Sequence, residues 1–249
     1  SWTEAPQVLV WDAKSGRAAP SGLAEAGDIA TLPDMVVERV MVASHDGVKV
    51  PLTILSKRGT ARDGQRPTIV YGYGSYGFSS DPGFSTTLYA WLEQGGVYAV
   101  AGVRGGGELG SEWRLAGTGE NKPNTWKDGI ACAEYLVKNG YTAPGRLAVS
   151  GGSAGGIFAG RAMTERPDLF RVGVIYVGST DTLRAEFSAN GVTNISEFGT
   201  VNDPQQFRNL LAMSTYQQIR DGVKYPAVIF VHGINDPRVD IWNTLKAGA

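Results

Sequence analysis

The sequence is poor in the residues that form disulfides, bind metals and act as general bases. It contains one cysteine, Cys132, and two histidines, His45 and His232. A single cysteine excludes a disulfide within the chain, and Cys132 is expected simply to pack inside a helix. The two histidines are far apart in sequence, so no cluster of metal ligands is indicated. We therefore expect neither a metal ion nor another cofactor.

Charge of one sign and long apolar runs are also lacking. The net charge is −1 and no basic or acidic block occurs, so nucleic acid and anionic membrane surfaces are poor candidates for partners. No apolar run reaches the roughly 18 residues that a membrane-spanning helix needs. Residues 1–20 lack the basic start and apolar centre of a signal peptide. Nothing in the sequence distinguishes a cytoplasmic from a periplasmic location.

What the sequence does contain is an alternation of strand-like and helix-like segments. Apolar, β-branched stretches bounded by turn residues predict strands at 35–43, 48–56, 67–71, 97–103, 146–151, 172–177 and 227–231. Helix-like segments occupy 84–94, 125–139, 154–166, 181–189 and 204–220. The first two strands turn at a His-Asp-Gly sequence, which predicts an antiparallel hairpin with His45 as a solvated turn residue. The later alternation predicts an α/β fold, with a mostly parallel sheet and helices on both faces.

The first 30 residues differ from the rest of the chain. A strand-like run at 7–11 follows Ser1 almost at once, and a loose connector rich in Gly, Ala and Pro comes after it. We expect residues 1–30 to be the remnant of a preceding domain and residues 31–249 to form one α/β domain. A start of this kind suggests a piece cut from a longer protein.

The segment Gly151–Gly155 has the pattern G-x-S-x-G around Ser153. Five small residues recur by chance in a glycine-rich chain, so the pattern alone is weak. Its context is more specific, because it follows a predicted strand and opens a predicted helix, the setting of a nucleophile elbow. The start of that helix would offer free N–H groups and positive potential to an oxyanion. We interpret Ser153 as a nucleophile, against the alternative of an idle serine in a glycine-rich turn.

Two glycine loops, at 72–77 and 105–110, match the G-x-G-x-x-G pattern of dinucleotide-binding proteins. The first loop does not run into a helix, and neither is followed by an acidic residue at the expected offset of about 20 residues. A nucleotide site is therefore the weaker alternative. In the hydrolase interpretation, the first loop lies over the nucleophile, where the Tyr73 hydroxyl can donate to an oxyanion. A structural ion pair between Arg104 and Glu108 is expected in the second loop.

Asp236 follows the strand at 227–231 and is the candidate acid. Its place after Ser153 agrees with the chain order Ser, Asp, His of α/β-hydrolases, in which the carboxylate orients a histidine. No histidine follows Asp236. His232, which ends the preceding strand, is interpreted as a structural residue that supports the Asp236 loop. The catalytic base is thus missing from the sequence.

Five segments together resemble the catalytic domain of the prolyl oligopeptidase family of serine peptidases, from about residue 35 onward. They read YGYGSY at 71–76, RGGGELG at 104–110, GGSAGG at 151–156, RPDLF at 166–170 and DPRV at 236–239. The resemblance implies that Ser153 is the nucleophile and Asp236 the triad acid. It also implies an oxyanion hole formed by the Tyr73 hydroxyl and the Ala154 backbone N–H, and substrate binding by Arg238 and Tyr76.

The same resemblance implies peptidase activity on short peptides, often after proline, with a β-propeller guarding the site. Residues 1–30 would then be the last propeller strand and the connector. Three departures stand out. No propeller is present, the segment 191–196 carries no tryptophan to stack on a proline ring, and the last strand, the histidine loop and the closing helix are absent. Proline specificity is accordingly in doubt.

Two classes of function follow from these observations. The first is a serine hydrolase of peptide or ester bonds, which without its histidine would be a weak or promiscuous esterase rather than a peptidase, since activated esters need no protonated leaving group. The second is an inactive fragment or binding module. In that case the open sheet edge left by the missing strand would favour a homo-oligomer.

Overall fold

The computed structural model describes residues 1–23 and 31–249, which contain one seven-stranded and one two-stranded sheet. The strands are β1 Leu9–Asp12, β2 Arg17–Pro20, β3 Met35–Ala43, β4 Lys49–Lys57, β5 Thr68–Tyr71, β6 Val97–Ala101, β7 Leu147–Gly152, β8 Val172–Tyr176 and β9 Ala227–Val231. The larger sheet has the order β3-β4-β6-β5-β7-β8-β9. All seven strands predicted for it are present.

The helices are α1 Thr86–Glu93, α2 Ser111–Leu115, α3 Pro123–Lys138, α4 Gly155–Glu165, α5 Ile195–Phe198, α6 Pro204–Met213, α7 Thr215–Gln218 and α8 Trp242–Gly248. Single 3₁₀ turns occur at Gly119–Asn121, Pro144–Arg146, Thr182–Phe187 and Gly191–Asn194. None of the helices in the described part of the chain is both long and apolar enough to cross a membrane.

The predicted fold class is confirmed. β3 and β4 pair antiparallel around the turn that contains His45, and β4 pairs antiparallel with β6. The remaining neighbours, from β6 to β9, are all parallel. Crossover helices supply the connections that parallel strands require. Parallel strands end at the same edge of the sheet, so the loops after β5, β7, β8 and β9 are brought together there.

Apolar side chains cover both faces of the sheet, but unequally. On one face, α3 and α4 pack with Trp126, Cys132 and Phe158 into the main core. On the other face, α1 covers only the part near β6, through Leu92 and its neighbours. Beside α1, the same face has an apolar groove of about 1060 Å³, which is lined by side chains of β5 to β8 and of α1.

Three local predictions are wrong. The segment 181–189 forms the 3₁₀ turn Thr182–Phe187 and not an α-helix. The segment 204–220 is divided into α6 and α7 at Ser214. The backbone of Ser214 is extended and its side chain accepts a hydrogen bond from the Gln217 N–H, so that Ser214 is the N-cap of α7. The start of the chain is not one strand followed by a loose connector, because β1 and β2 pair as a hairpin. In the turn of this hairpin, the Asp12 carboxylate accepts hydrogen bonds from the Lys14 N–H and from Ser15 Oγ.

The boundary predicted at residue 30 lies at the end of the segment 24–30, which is outside the described residues.

Candidate active site

Ser153 lies on a sharp turn between β7 and α4. Its φ of 53° falls in the left-handed region, which a non-glycine residue rarely adopts. The turn is held on both sides, because the Ser153 N–H donates to Tyr176 O at 2.9 Å and the Ser179 N–H donates to Ser153 O at 2.9 Å. The serine is therefore fixed in a strained conformation by the end of β8 and the loop that follows it.

The glycines around the serine are required by the packing. A Cβ on Gly151 would lie 2.1 Å from the carbonyl oxygen of Gly155, across the turn. A Cβ on Gly156 would lie 2.6 Å from the Cα of Gly178, in the loop after β8. Both contacts are with backbone, which cannot move aside as a flexible side chain can. The glycine pattern thus lets two loops approach each other beneath Ser153.

The six residues singled out from the sequence all line one cleft of about 600 Å³. They are Ser153, Ala154, Tyr73, Tyr76, Asp236 and Arg238. The cleft opens at the edge of the sheet where β5, β7, β8 and β9 end. Sequence positions far apart are therefore brought together by the topology of the parallel strands.

Two hydrogen-bond donors face the Ser153 side of the cleft. Burial raises the pKa of Tyr73, and an interaction with the Ser153 side chain only partly opposes that rise. The phenol is therefore protonated at neutral pH and can donate. The Ala154 N–H stands at the N-terminus of α4 and donates to no residue in the described part of the chain. Free N–H groups at a helix N-terminus attract negative charge.

Asp236 is held in its loop by the backbone that follows it. The Val239 and Arg238 N–H groups donate to Asp236 Oδ1 at 2.9 and 2.8 Å, respectively. These two bonds lower the pKa of Asp236 below its ordinary value. Its second oxygen, Oδ2, accepts no hydrogen bond from any described residue. The carboxylate is thus oriented, ionised and free on one side.

Arg238 and Tyr76 line the same cleft as the serine and come from different loops. Arg238 is exposed in the loop after β9, which Asn190 steadies through a 3.0 Å bond from its Nδ2 to Pro237 O. Tyr76 is half-buried, and its hydroxyl donates to Asn194 Oδ1 at 2.7 Å. Burial raises the pKa of Tyr76. The wall formed by Tyr76 and Asn194 is therefore a neutral, polar one.

Neither histidine lines the cleft. His45 is exposed in the β3–β4 turn. The ring of His232 is bonded on both sides, at 2.7 Å from Nδ1 to Thr244 Oγ1 and at 2.7 Å from Nε2 to Val239 O. Both ring nitrogens are thereby occupied in tying the Asp236 loop to α8. These are the contacts expected of a structural histidine.

Backbone strain is concentrated at this cleft. In the described part of the chain, only Tyr76, Ser153 and Val177 have positive φ without being glycine, and all three line the cleft. Val177 was missed by the sequence reasoning. Its φ of 43° is unusual for a β-branched residue, and no sequence signal distinguishes it from an ordinary strand residue. Strain of this kind is commonly retained at functional sites.

The second glycine loop lies outside the cleft, and the ion pair predicted in it is wrong. Arg104 is bonded to the buried Asp128, from Nη2 to Oδ1 at 2.6 Å, and to Asp46. Glu108 instead accepts the Ser80 N–H, and burial raises its pKa. The prediction failed because Asp128, on α3, is distant in sequence.

The glycine loops pack against each other and do not open toward a ligand. A Cβ on Gly105 would lie 2.1 Å from Gly74 O, and one on Gly107 would lie 2.2 Å from Gly77 O. Their glycines therefore serve loop-to-loop contact and leave no cradle for a pyrophosphate. In the described residues, no group of three or more His, Cys, Asp or Glu side chains is arranged to hold a metal ion.

The sheet order, the strained serine turn and the acid after a parallel strand define the α/β-hydrolase fold. The model of the prolyl oligopeptidase family matches residues 82–249. The chain belongs to this family.

Known proteins agree with this membership. A prolyl endopeptidase of Elizabethkingia miricola is 41% identical over 215 residues, which are 86% of this chain and 30% of that protein. A structure solved in a mechanistic study of two prolyl endopeptidases has a TM-score of 0.94 at 39% identity, covering 99% of this chain and 36% of the other. Oligopeptidase B from Trypanosoma brucei with covalently bound antipain has a TM-score of 0.92 at 32% identity, covering 99% and 35%. The chain thus spans about a third of the length of these relatives.

Proposed function

We propose that this chain carries the catalytic serine of a peptidase and that Ser153 forms an acyl-enzyme. The observation that carries the proposal is the strained Ser153 turn in a cleft shared with Tyr73, Ala154 and Asp236. Membership of a family of serine peptidases supports the same reaction class. In this mechanism Ser153 attacks the substrate carbonyl, and the Tyr73 hydroxyl and the Ala154 N–H stabilise the oxyanion.

The proton of Ser153 needs an acceptor, and the cleft contains the carboxylate, Asp236, that would orient a histidine in that role. Asp236 is ionised and its Oδ2 is free of described partners, as the carboxylate that orients an imidazole would be. Neither His45 nor His232 is placed to serve. We propose that the histidine comes from a segment outside this sequence or from a second chain.

For the chain as it stands we propose weak esterase activity in preference to peptidase activity. Loss of one triad member typically removes several orders of magnitude in rate, while the oxyanion hole retains residual catalysis. A peptide's leaving amine must be protonated, and the missing histidine is the group that would pass on the proton taken from Ser153. An aryl ester needs no such proton, so it should suffer less.

Substrate binding is assigned to Arg238 and Tyr76, and the proposed substrates are short peptides or esters. Arg238 is exposed at the rim, where its guanidinium can donate to a substrate carbonyl. The segment 191–196 contributes Thr193 and Asn194 to the cleft and contains no tryptophan. We therefore propose that proline is not strongly preferred before the cleaved bond.

Hydrolysis of 4-nitrophenyl esters tests this proposal. Wild-type protein should release nitrophenol slowly, Ser153→Ala should not exceed the background rate, and Tyr73→Phe should lose about 100-fold, the usual cost of one oxyanion donor. Esters of N-acyl proline and N-acyl alanine should differ by less than about tenfold in kcat/KM. Equal turnover by wild type and Ser153→Ala would refute the role of Ser153.

A second candidate function is a non-catalytic one, favoured by the absence of histidine from the cleft. Under this proposal the chain acts as a binding module that self-associates through β9, which is the edge strand of the larger sheet. Ile229 and Val231 of β9 are 55% and 46% exposed. Their register partners on β8, Val174 and Tyr176, line the apolar groove. Such an edge favours pairing with a second copy.

The division of the chain is also a proposal. We infer that residues 1–30 connect a preceding propeller to the α/β domain of residues 31–249. The separate two-stranded sheet β1–β2, whose residues are all exposed, is consistent with a segment that packs elsewhere in a longer protein.

A further inference from the structure

A buried ion pair lies directly behind the loop that carries Tyr73 and Tyr76. Lys122 and Glu197 are both fully buried, with 3.1 Å between Nζ and Oε1. Lys122 Nζ also donates to Gly74 O at 2.8 Å and to Ser75 Oγ at 2.6 Å. Glu197 Oε1 accepts the Tyr76 N–H at 3.0 Å. The pair therefore bonds to three consecutive residues of the loop, beginning next to Tyr73.

Stability alone explains this pair poorly. Two buried charges lose their hydration, and their attraction often fails to compensate that loss. Lys122 is also the N-cap of α3, where the helix dipole disfavours a positive charge. Burial lowers the pKa of Lys122 to about 8, although Glu197 acts to raise it. Glu197 Oε2 has no hydrogen-bond partner among the described residues.

The pair joins the loop that carries Tyr73 and Tyr76 to the segment that carries Asn194. Tyr76 has a φ of 58°, a conformation that must be held by its surroundings, and the Glu197 carboxylate holds its N–H. The Tyr76 hydroxyl donates to Asn194 Oδ1, three residues before Glu197 in the chain. Both the backbone N–H and the hydroxyl of Tyr76 are therefore bonded to the segment 194–197. Lys122 holds the same loop through Gly74 and Ser75.

We propose that Lys122 and Glu197 are positioning residues for the Tyr73 oxyanion donor. This inference rests on the proposed function, because it assigns the pair a role in the reaction at Ser153. Neither residue lines the cleft, and both act through the loop at 73–76. A loop freed of these bonds would displace the Tyr73 hydroxyl, and small displacements of a catalytic group are costly in rate.

Hydrogen exchange measured by mass spectrometry tests the positioning directly and needs no activity. In Lys122→Met, and in the double variant Lys122→Met/Glu197→Gln, which leaves neither charge unpaired, peptides covering 72–78 should exchange faster. Peptides covering α4 should not change. Lys246→Met is the matched control, because Lys246 pairs with the buried Asp181 and does not touch the loop. Unchanged exchange at 72–78 in a folded variant would overturn the proposal.

The rate of Ser153 labelling by a fluorophosphonate gives the second readout. We expect kinact to fall about tenfold in Lys122→Met with little change in KI. The fall should be smaller in Glu197→Gln, which keeps an acceptor for the Tyr76 N–H. In a Tyr73→Phe background, Lys122→Met should cost less than about twofold, because both changes act on one donor. Fully additive losses would refute action through Tyr73.

Hydrogen exchange and fluorophosphonate labelling together distinguish a failure of the proposed function from a failure of the positioning by Lys122 and Glu197. Absence of labelling in the wild type, together with faster exchange at 72–78 in the variants, would contradict the proposed function and leave the positioning intact. Normal labelling of the wild type with unaltered loop exchange in the variants would contradict the positioning alone. If Lys122→Met does not fold, Glu197→Gln and the double variant decide the same question.

Discussion

At the scale of single residues, the site depends on glycines that admit no side chain and on residues held against their backbone preference. Gly156 and Ser153 illustrate the two cases. The glycine permits close approach of the loop after β8, and the serine takes up the strained conformation that results. The pattern around Ser153 predicted a nucleophile elbow, and a turn of that kind requires both effects.

Replacing Gly156 by alanine should destabilise the protein by about 1–3 kcal/mol, the usual cost of overpacking. Alanine would otherwise favour the helix by about 1 kcal/mol, but its Cβ would meet the Cα of Gly178 at 2.6 Å. Gly145→Ala is the matched control, since nothing lies within 4 Å of a Cβ there. Urea denaturation gives both values, and equal stabilities for the two variants would contradict the packing argument.

The Asp236 loop should show a specific pH dependence. The Val239 and Arg238 N–H bonds lower the pKa of Asp236 below its ordinary value of 3.8. The stability that these bonds contribute is therefore present above the unfolded-state pKa and is lost as the pH falls through the lower, folded-state pKa. The amide proton shifts of Val239 and Arg238, followed by NMR, should titrate with a midpoint below 3.8. A midpoint at or above that value would show that the carboxylate is not held as described.

At the scale of secondary-structure elements, Arg104 connects parts of the chain that the sequence does not relate. It bonds Asp46 in the β3–β4 turn and Asp128 on α3, and Ser44 Oγ also donates to Asp128. Arg104 and Asp128 are both buried. The early hairpin is thereby fixed to the helix that covers the main core.

Arg104→Ala should lower the free energy of unfolding by about 3–5 kcal/mol, because the Asp128 charge would stay buried without its partner. Lys57→Ala, which breaks an exposed pair with Glu93, should cost less than about 1 kcal/mol. Chemical denaturation of the two variants supplies the comparison. A loss at Arg104 no greater than at Lys57 would refute the structural role of the buried pair.

The elements themselves were largely predictable, and their contacts were not. Strand positions follow from apolar, β-branched runs, which decide burial locally. The halving of the predicted helix 204–220 at Ser214 depends on a serine cap that competes with helix continuation. The partner of Arg104, the pairing of Lys122 with Glu197 and the positive φ of Val177 all arise from tertiary contacts between distant segments. No local pattern encodes them.

At the scale of the whole molecule, the order of parallel strands explains why the candidate site could be assembled from sequence. Tyr73, Ser153 and Asp236 each follow the C-terminal end of a parallel strand, and such ends meet at one edge. The same topology leaves β9 as an open edge beside an apolar groove of about 1060 Å³. The molecule thus has both a formed cleft at Ser153 and an uncovered strand edge at β9.

Self-association is the expected consequence of the open edge. Sedimentation velocity should show concentration-dependent dimers at micromolar concentration, because an uncovered edge strand offers unpaired backbone groups. Ile229→Lys should weaken them by placing a charge on an exposed position of β9. Leu23→Lys, at an exposed apolar position outside the sheet, is the control. A strictly monomeric wild type would contradict pairing through β9.

The proposed function depends on Ser153 being the nucleophile of the cleft. The most direct measurement is the intact mass of the protein before and after treatment with a fluorophosphonate, followed by peptide mapping. We expect a single adduct on Ser153 that is absent from Ser153→Ala. An unmodified protein, or an adduct elsewhere that persists in Ser153→Ala, would contradict it.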